Sequence, residues 1–281
     1  MSQTIVLKKG LNIPIEGEAE LRVSKAIAPG IVAVCPTDFK GLLPRLLVKE
    51  GDPVLCGSPV IADKKNPDIL ITSPVSGKVK ELVRGDKRKL LAVLIEADSE
   101  TRCVDFGGKD VASLDAAATR EAILKSGLWP WLVQPPYGII ADPASKPKAI
   151  FVSAFNTAPL AADAEFCHAG DLKAIQAGVD ALGKLTEGGV HVSIDASKEH
   201  SEFSRLNGVK LHSFKGKHPA GNVGVQISHI SPIQKGETVW TISLAGLAAI
   251  GKLFTKGIYD VHRKVAVCGP MAIEPSYIET V

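Results

Sequence analysis

VKEGDPVLCGSPVIADKKNPDILITSPVSGKV, residues 48–79, decides the fold of the N-terminal part of this chain. Gly51-Asp52 and Gly57-Ser58 are turn dipeptides, and Asn66-Pro67, Ser73-Pro74 and Ser76-Gly77 repeat the signal. Glycine reaches positive φ without a Cβ clash, and proline presets φ for a turn. Between these marks lie short β-rich runs at 46–48, 54–55, 60–61, 69–72, 82–83 and 90–95. Strands this short, punctuated this often, predict a small all-β sandwich or barrel. Gly51 and Gly77 are expected at positive φ.

Over about thirty residues the order of turns resembles the lipoyl/biotinyl carrier modules, which present a modified lysine at a hairpin tip after an acidic residue. Asp63-Lys64 is similar to that pair. The run from Gly57 to Lys64 is shorter than in those modules, however, and the exit Lys65-Asn66-Pro67-Asp68 is longer and carries a proline. Lys64 and Lys65 are therefore expected to be solvated tip residues, and the module to be structural.

Outward from this module, the 281 residues suffice for two domains with cores of their own. The chain is 45% apolar and 22% charged, ordinary for a globular protein. A net charge of +3 and 5% aromatics supply neither the basic face nor the stacking platform of a nucleic-acid binder, so no nucleic-acid partner is expected. Five scattered cysteines form no CxxC and propose no zinc or iron–sulfur site. The start has no signal-peptide core. The uncharged runs 128–141, 149–162 and 238–251 fall short of the ~20 residues a membrane helix needs, so no transmembrane helix is expected.

After Glu96 the pattern changes. Ser113 reads as the N-cap of a helix ending at Gly127, and Pro130, Pro135, Pro136, Pro143 and Pro147 predict an irregular connection. Strands are predicted at 149–155, 190–194, 209–214, 223–229, 239–244 and from 265, and helices at 172–185, 197–206 and 247–254. This alternation predicts an α/β domain with a parallel or mixed sheet. The fold class is thus α/β plus all-β: a barrel-sandwich hybrid over 1–105, a Rossmann-like α/β domain over 106–258, and at 259–281 the first segment of a further, truncated domain.

Chemistry-bearing motifs are scarce. No GxGxxG opens a helix, Gly216-Lys217 is followed by His218 rather than a hydroxyl residue, and no nucleophile comes with its base. His191 and His212 read as sheet-face residues. The segment Phe214-Lys215-Gly216-Lys217-His218-Pro219-Ala220-Gly221-Asn222-Val223-Gly224 could cradle a ring or an anion, although turn geometry is the favoured account of its glycines.

The runs LKKGLNIPIEGEAE, VKEGDPV, DKKNP, TSPVSGKV, RGDKR, SGLWPW, PLAAD, HPAGNVG and AIGKLFTKG, in this order, resemble the NqrA proteins of the sodium-translocating NADH:quinone reductases over essentially the whole chain. RnfC and the NADH/flavin subunit of respiratory complex I are related to that family. The resemblance implies a subunit of a membrane complex that oxidises NADH, reduces ubiquinone and exports Na+. It implies a peripheral place on the cytoplasmic side of the inner (plasma) membrane, with the complex's other subunits and ubiquinone as partners. Flavin-binding relatives carry a glycine-rich loop where Ser126-Gly127-Leu128 is followed here by Trp129-Pro130-Trp131, and glutamates where this chain has Asn156 and Ala158. The FMN and NADH sites are therefore expected to be absent and no catalytic residue is expected on this chain. A quinone would meet Trp129, Trp131, Phe155, His218, Pro219 and Gly221. The alternatives are a lipoyl/biotinyl-type carrier and an RnfC-like electron-transfer subunit.

Overall fold

A computed structural model describes residues 4–26, 28–198 and 200–281. The strands β1 (Ile5–Val6) and β2 (Val23–Ser24) precede a barrel-sandwich built from two sheets. One runs β3-β9-β8-β5, from β3 (Ile31–Val34), β5 (Pro53–Val54), β8 (Gly77–Arg84) and β9 (Leu90–Ala97). The other runs β4-β6-β7, from β4 (Pro44–Leu46), β6 (Pro59–Asp63) and β7 (Leu70–Thr72). Their inner faces close on Val34, Val54, Val60, Ile61, Ile71, Val79, Val93 and Ile95. Gly51 and Gly77 take φ of +90° and +159°. A Cβ at Gly77 would stand 2.0 Å from the Glu96 carbonyl oxygen, so this bend admits no side chain.

Helix α1 (Ala116–Lys125) follows the barrel. Its N-cap is Asp115, not the predicted Ser113: the Asp115 carboxylate accepts from Ala118 N at 2.7 Å, while Ser113 closes a preceding 3-10 turn. A carboxylate two residues nearer the helix wins the cap. Next come β10 (Val133–Gln134), β11 (Ile139–Ile140), β12 (Ile150–Ser153), α2 (Ala164–Cys167), α3 (Leu172–Gly183), β13 (Val190–Asp195) and β14 (Val209–Lys215). The predicted strand at 223–229 is instead helix α4 (Val223–Ile230). Asn222 accepts from Gly224 N at 2.9 Å, and Val223, Ile227 and Ile230 recur at helical spacing. The predicted strand at 239–244 shortens to β15 (Trp240–Thr241), because Ser243 caps α5 (Leu244–Lys256). The predicted helix at 197–206 is only a 3-10 turn at Glu202–Arg205, and Glu199 lies outside the described residues.

The seven-stranded sheet has the order β1-β14-β13-β12-β15-β10-β11. Its first five strands are parallel; β10 and β11 are antiparallel. Helices α3 and α5 cover one face over the main core, and α4 packs on the other against Ala149, Phe151 and Val239. Two terminal segments depart from the sequence expectation. β1 adds to the α/β sheet rather than the barrel. β16 (Arg263–Val267) pairs with β17 (Ser276–Thr280), which pairs with β2, so residues 263–280 close a three-stranded sheet with the N-terminal segment.

Candidate functional site

The parallel order reverses between β12 and β15. From β12 the chain steps outward to β13 and β14, then returns past β12 to β15. Loops leaving the carboxyl ends of two such strands part in opposite directions and leave a crevice, the usual ligand position in open α/β sheets. Here the crevice opens into a cavity of about 1300 Å³. Phe155 and Asn156 line it beyond β12, and Ile242, Ser243 and Leu244 beyond β15. The barrel contributes Val34, Phe39, Ile71 and Thr72, and the segment before β16 contributes Tyr259, Asp260 and Val261.

Of the six residues singled out by sequence, four line this cavity: Trp131, Phe155, His218 and Gly221. Trp131 is half-buried, with the Arg263 guanidinium 4.7 Å above its ring. His218 Nδ1 lies 3.2 Å from Thr157 Oγ1, which accepts from Gly221 N at 3.0 Å. Gly221 is required there, since a Cβ would come within 2.6 Å of Thr157 N. The other two stand apart. Trp129 is fully buried; its Nε1 donates to Ala141 O at 2.7 Å and its ring meets Trp240 edge-on at 5.4 Å. Pro219 is half-buried beside His218 and does not line the cavity.

The Ser126-Gly127-Leu128 turn is closed from below. Gly127 has φ of +76°, and its missing Cβ would lie 2.3 Å from the Thr72 side chain. Gly127 and Thr72 line the cavity, and Pro130 and Trp131, in the 3-10 turn that follows, line it as well. This turn thus presents an indole and a proline to the cavity where the flavin-binding relatives are expected to carry glycines.

The polar wall was not legible in sequence. Lys252, half-buried on α5, reaches Asp171 at 3.3 Å and Asp260 at 3.1 Å. His262 Nδ1 lies 3.0 Å from Asp260, and His168 Nδ1 3.5 Å from Asp171. The His262 hydrogen bond, reinforced by Lys252, holds the Asp260 carboxyl far below the usual carboxylate range against the opposing effect of burial. His168, then Lys252, likewise lower Asp171. Burial works against the Lys252 charge, but its two carboxylates outweigh it and raise its pKa. The one available signal was a lone lysine in the apolar run AGLAAIGKLF. Thr72 is also buried in this wall, and its hydroxyl has no hydrogen-bond partner among the described residues. Burial raises the Cys35 and Cys167 thiols, and both line the cavity.

Among the described residues, no group of three or more His, Cys, Asp or Glu could hold a metal ion, and no helix is long and apolar enough to cross a membrane.

Residues 5–98 match the family described as the NqrA N-terminal barrel-sandwich hybrid domain, and residues 114–259 the one described as the NqrA second alpha/beta domain. Curated relatives are named as the A subunit of Na(+)-translocating NADH-quinone reductase. Those from Yersinia pseudotuberculosis and Pseudomonas aeruginosa are 36% identical to this chain over 278 residues, 98% of it and 62% of their own length. One from Rhodopirellula baltica is 37% identical over 98% of this chain and 61% of its own length. The chain thus spans about 62% of the length of the curated relatives it matches.

Proposed function

We propose that this chain, which belongs to the NqrA family, serves as a peripheral subunit of a sodium-translocating NADH:quinone reductase and holds a quinone headgroup in the cavity between its two domains. The observation that carries the reading is the cavity itself, at the switch point of the sheet, where the rings of Phe39, Trp131, Phe155 and Tyr259 and apolar side chains face a wall of polar and charged groups. Phe155 and Trp131 offer flat apolar surface to a ring, and the Thr72 hydroxyl and Lys252 ammonium are donors suited to its carbonyl oxygens. NADH oxidation and sodium export are then the work of the assembled complex, carried by its other subunits, on the cytoplasmic side of the membrane. This chain contributes binding and assembly and no catalytic residue.

The closed Gly127 turn and the Trp129–Trp131 segment support the loss of an FMN site, and Asn156 and Ala158 at the mouth of β12 support the loss of an NADH site. The exposed tip at Lys64 and the family match favour neither the carrier nor the RnfC-like alternative.

Titration of a short-chain ubiquinone analogue against the 281-residue chain, followed by tryptophan fluorescence, tests the site. Saturable quenching is expected. Trp131→Phe should remove most of the quenchable signal, while Trp129→Phe, a core position, should leave it. Absence of saturable quenching would remove the quinone from this chain. A flavin absorption band retained by the purified chain would overturn the account of the 126–131 turn.

A further inference from the structure

We propose that Cys56 and Cys103 form an oxidisable dithiol, a modification site for two-electron oxidants of the peroxide class that closes to a disulfide. The two residues are partners in an isolated parallel β-bridge. Cys56 N donates to Arg102 O at 2.9 Å and Val104 N donates to Cys56 O at 2.9 Å, so backbone bonds on both sides of Cys103 fix the pair side by side. Opposed residues of neighbouring strands have Cα atoms about 5 Å apart and side chains on one face. That lies inside the ~4.4–6.8 Å a disulfide spans.

The two thiols are unequal. Cys103 is exposed and meets a solvent oxidant first. Cys56 is buried, and its thiol donates to Tyr259 O at 3.3 Å. Burial first, and the neighbouring Cys103 thiol second, push Cys56 well above the ordinary thiol range, so the exposed Cys103 is the thiol that meets the oxidant. In the first step the Cys103 thiol gives up its proton, its thiolate attacks a peroxide oxygen, the O–O bond breaks, and the departing hydroxide takes up that proton as water. In the second the Cys56 sulfur displaces the hydroxyl of the Cys103 sulfenic acid; its proton leaves with that hydroxyl as water. Overall two thiols lose two electrons, and one peroxide becomes two waters.

The bond has a reach beyond the pair. The Cys56 proton that Tyr259 O accepts is lost on oxidation, and Tyr259, Asp260 and Val261 line the cavity. A packing role alone would explain a buried Cys56, but it does not explain a second thiol placed in register beside it at the surface. Cys167 and Cys268 donate to Lys264 O and Leu160 O, and serve as internal controls.

Treating the 281-residue chain with hydrogen peroxide, alkylating the remaining thiols and digesting with trypsin reads the site directly. The expected product joins peptides 50–64 and 103–109, two hydrogens lighter than the reduced pair, and disappears with dithiothreitol. Amide exchange at 259–261 should rise in the oxidised form. In Cys56→Ser the first step proceeds alone, and Cys103 becomes trappable by dimedone. The proposal falls if wild-type Cys103 advances to the sulfinic acid while Cys56 remains a thiol, or if Cys103 links preferentially to another cysteine.

Discussion

The barrel and the α/β domain are both organised by glycines, but for opposite reasons. In the barrel, Gly51 sits at φ of +90° in a tight turn with open space around it, where the requirement is local. In the α/β domain, Gly178 and Gly251 sit inside helices α3 and α5 and are demanded by the other helix. A Cβ at Gly251 would lie 1.7 Å from Ala174 O, and one at Gly178 would lie 2.3 Å from Leu247 O. The barrel is therefore specified largely by its turns, with the contact of Gly77 on the Glu96 carbonyl confined to a pair of neighbouring strands. The α/β domain is specified by contacts between segments some seventy residues apart. Local and long-range specification differ in how they fail.

Substitution at the long-range site should show the largest effect. Gly251→Ala drives a methyl into the backbone of α3, where the nearest atoms are all backbone atoms of Ala174 rather than the end of a flexible side chain. A loss of about 3 kcal/mol or more is expected, the upper range for overpacking, measured by urea unfolding. A loss under about 1 kcal/mol would mean that α3 and α5 slide freely, and the contrast with the barrel would collapse.

The second effect, roughly 2–3 kcal/mol, depends on pH. His191, on β13 beneath α4, is buried, and its ring stacks on His212 with Nδ1 3.0 Å from His212 Nε2. Burial first, then His212 and Lys210, lower it to about 4. The folded chain thus favours neutral His191. The stability this represents is present above the unfolded value near 6.5 and is lost as pH falls toward 4. Burial also lowers His212, followed by the charge of Lys210, and it acts in the same direction. Thermal unfolding from pH 7 to 4.5 should show this slope, and His191→Leu should flatten most of it. An unchanged slope in the variant would assign the dependence to carboxylates elsewhere.

The third effect tests the local half of the comparison. Gly51→Ala introduces a side chain at φ of +90° with open space around it; the nearest atom is Lys78 Cε at 3.8 Å. The cost is conformational only, about 1 kcal/mol, and the fall in unfolding midpoint should be correspondingly modest. A loss as large as that of Gly251→Ala would show that the barrel turn also depends on a distant contact.

The same contrast explains what could be read from the amino-acid sequence. Gly51, Gly57, Asn66-Pro67 and Ser73-Pro74 announce the barrel because each states its own conformation. Helix α4 escaped detection because Val223-Gly224-Val225-Gln226-Ile227 is β-prone in composition, and the deciding feature, the Asn222 cap, lies one residue outside the apolar run. Half of the site followed the same logic. Trp131 and Phe155 declare themselves as aromatics, but Trp129 carries an equal claim and lies in the core. The Asp171–Lys252–Asp260 wall joins three separate segments, and no local pattern unites them. Pairings among distant segments also placed β1 in the α/β sheet and residues 263–280 against β2.

The smallest expected effect bears on the hairpin tip. In a carrier module the acidic residue and the lysine after it form one recognition unit. Here they have separate roles. Asp63 is 7% exposed, accepts from Leu43 N at 3.0 Å and Asn66 N at 3.3 Å, and so ties the tip to the start of β4. The Lys64 side chain is exposed, and only its backbone N–H is engaged, donating to Leu43 O at 2.8 Å. Lys64→Ala should therefore leave stability within about 0.5 kcal/mol of wild type, as for a surface position without special contacts. It should also leave the intact mass of protein from its native host unchanged apart from the substitution. An acyl-sized mass difference lost with Lys64 would restore the carrier reading and remove the barrel from the locally specified, purely structural side of the comparison.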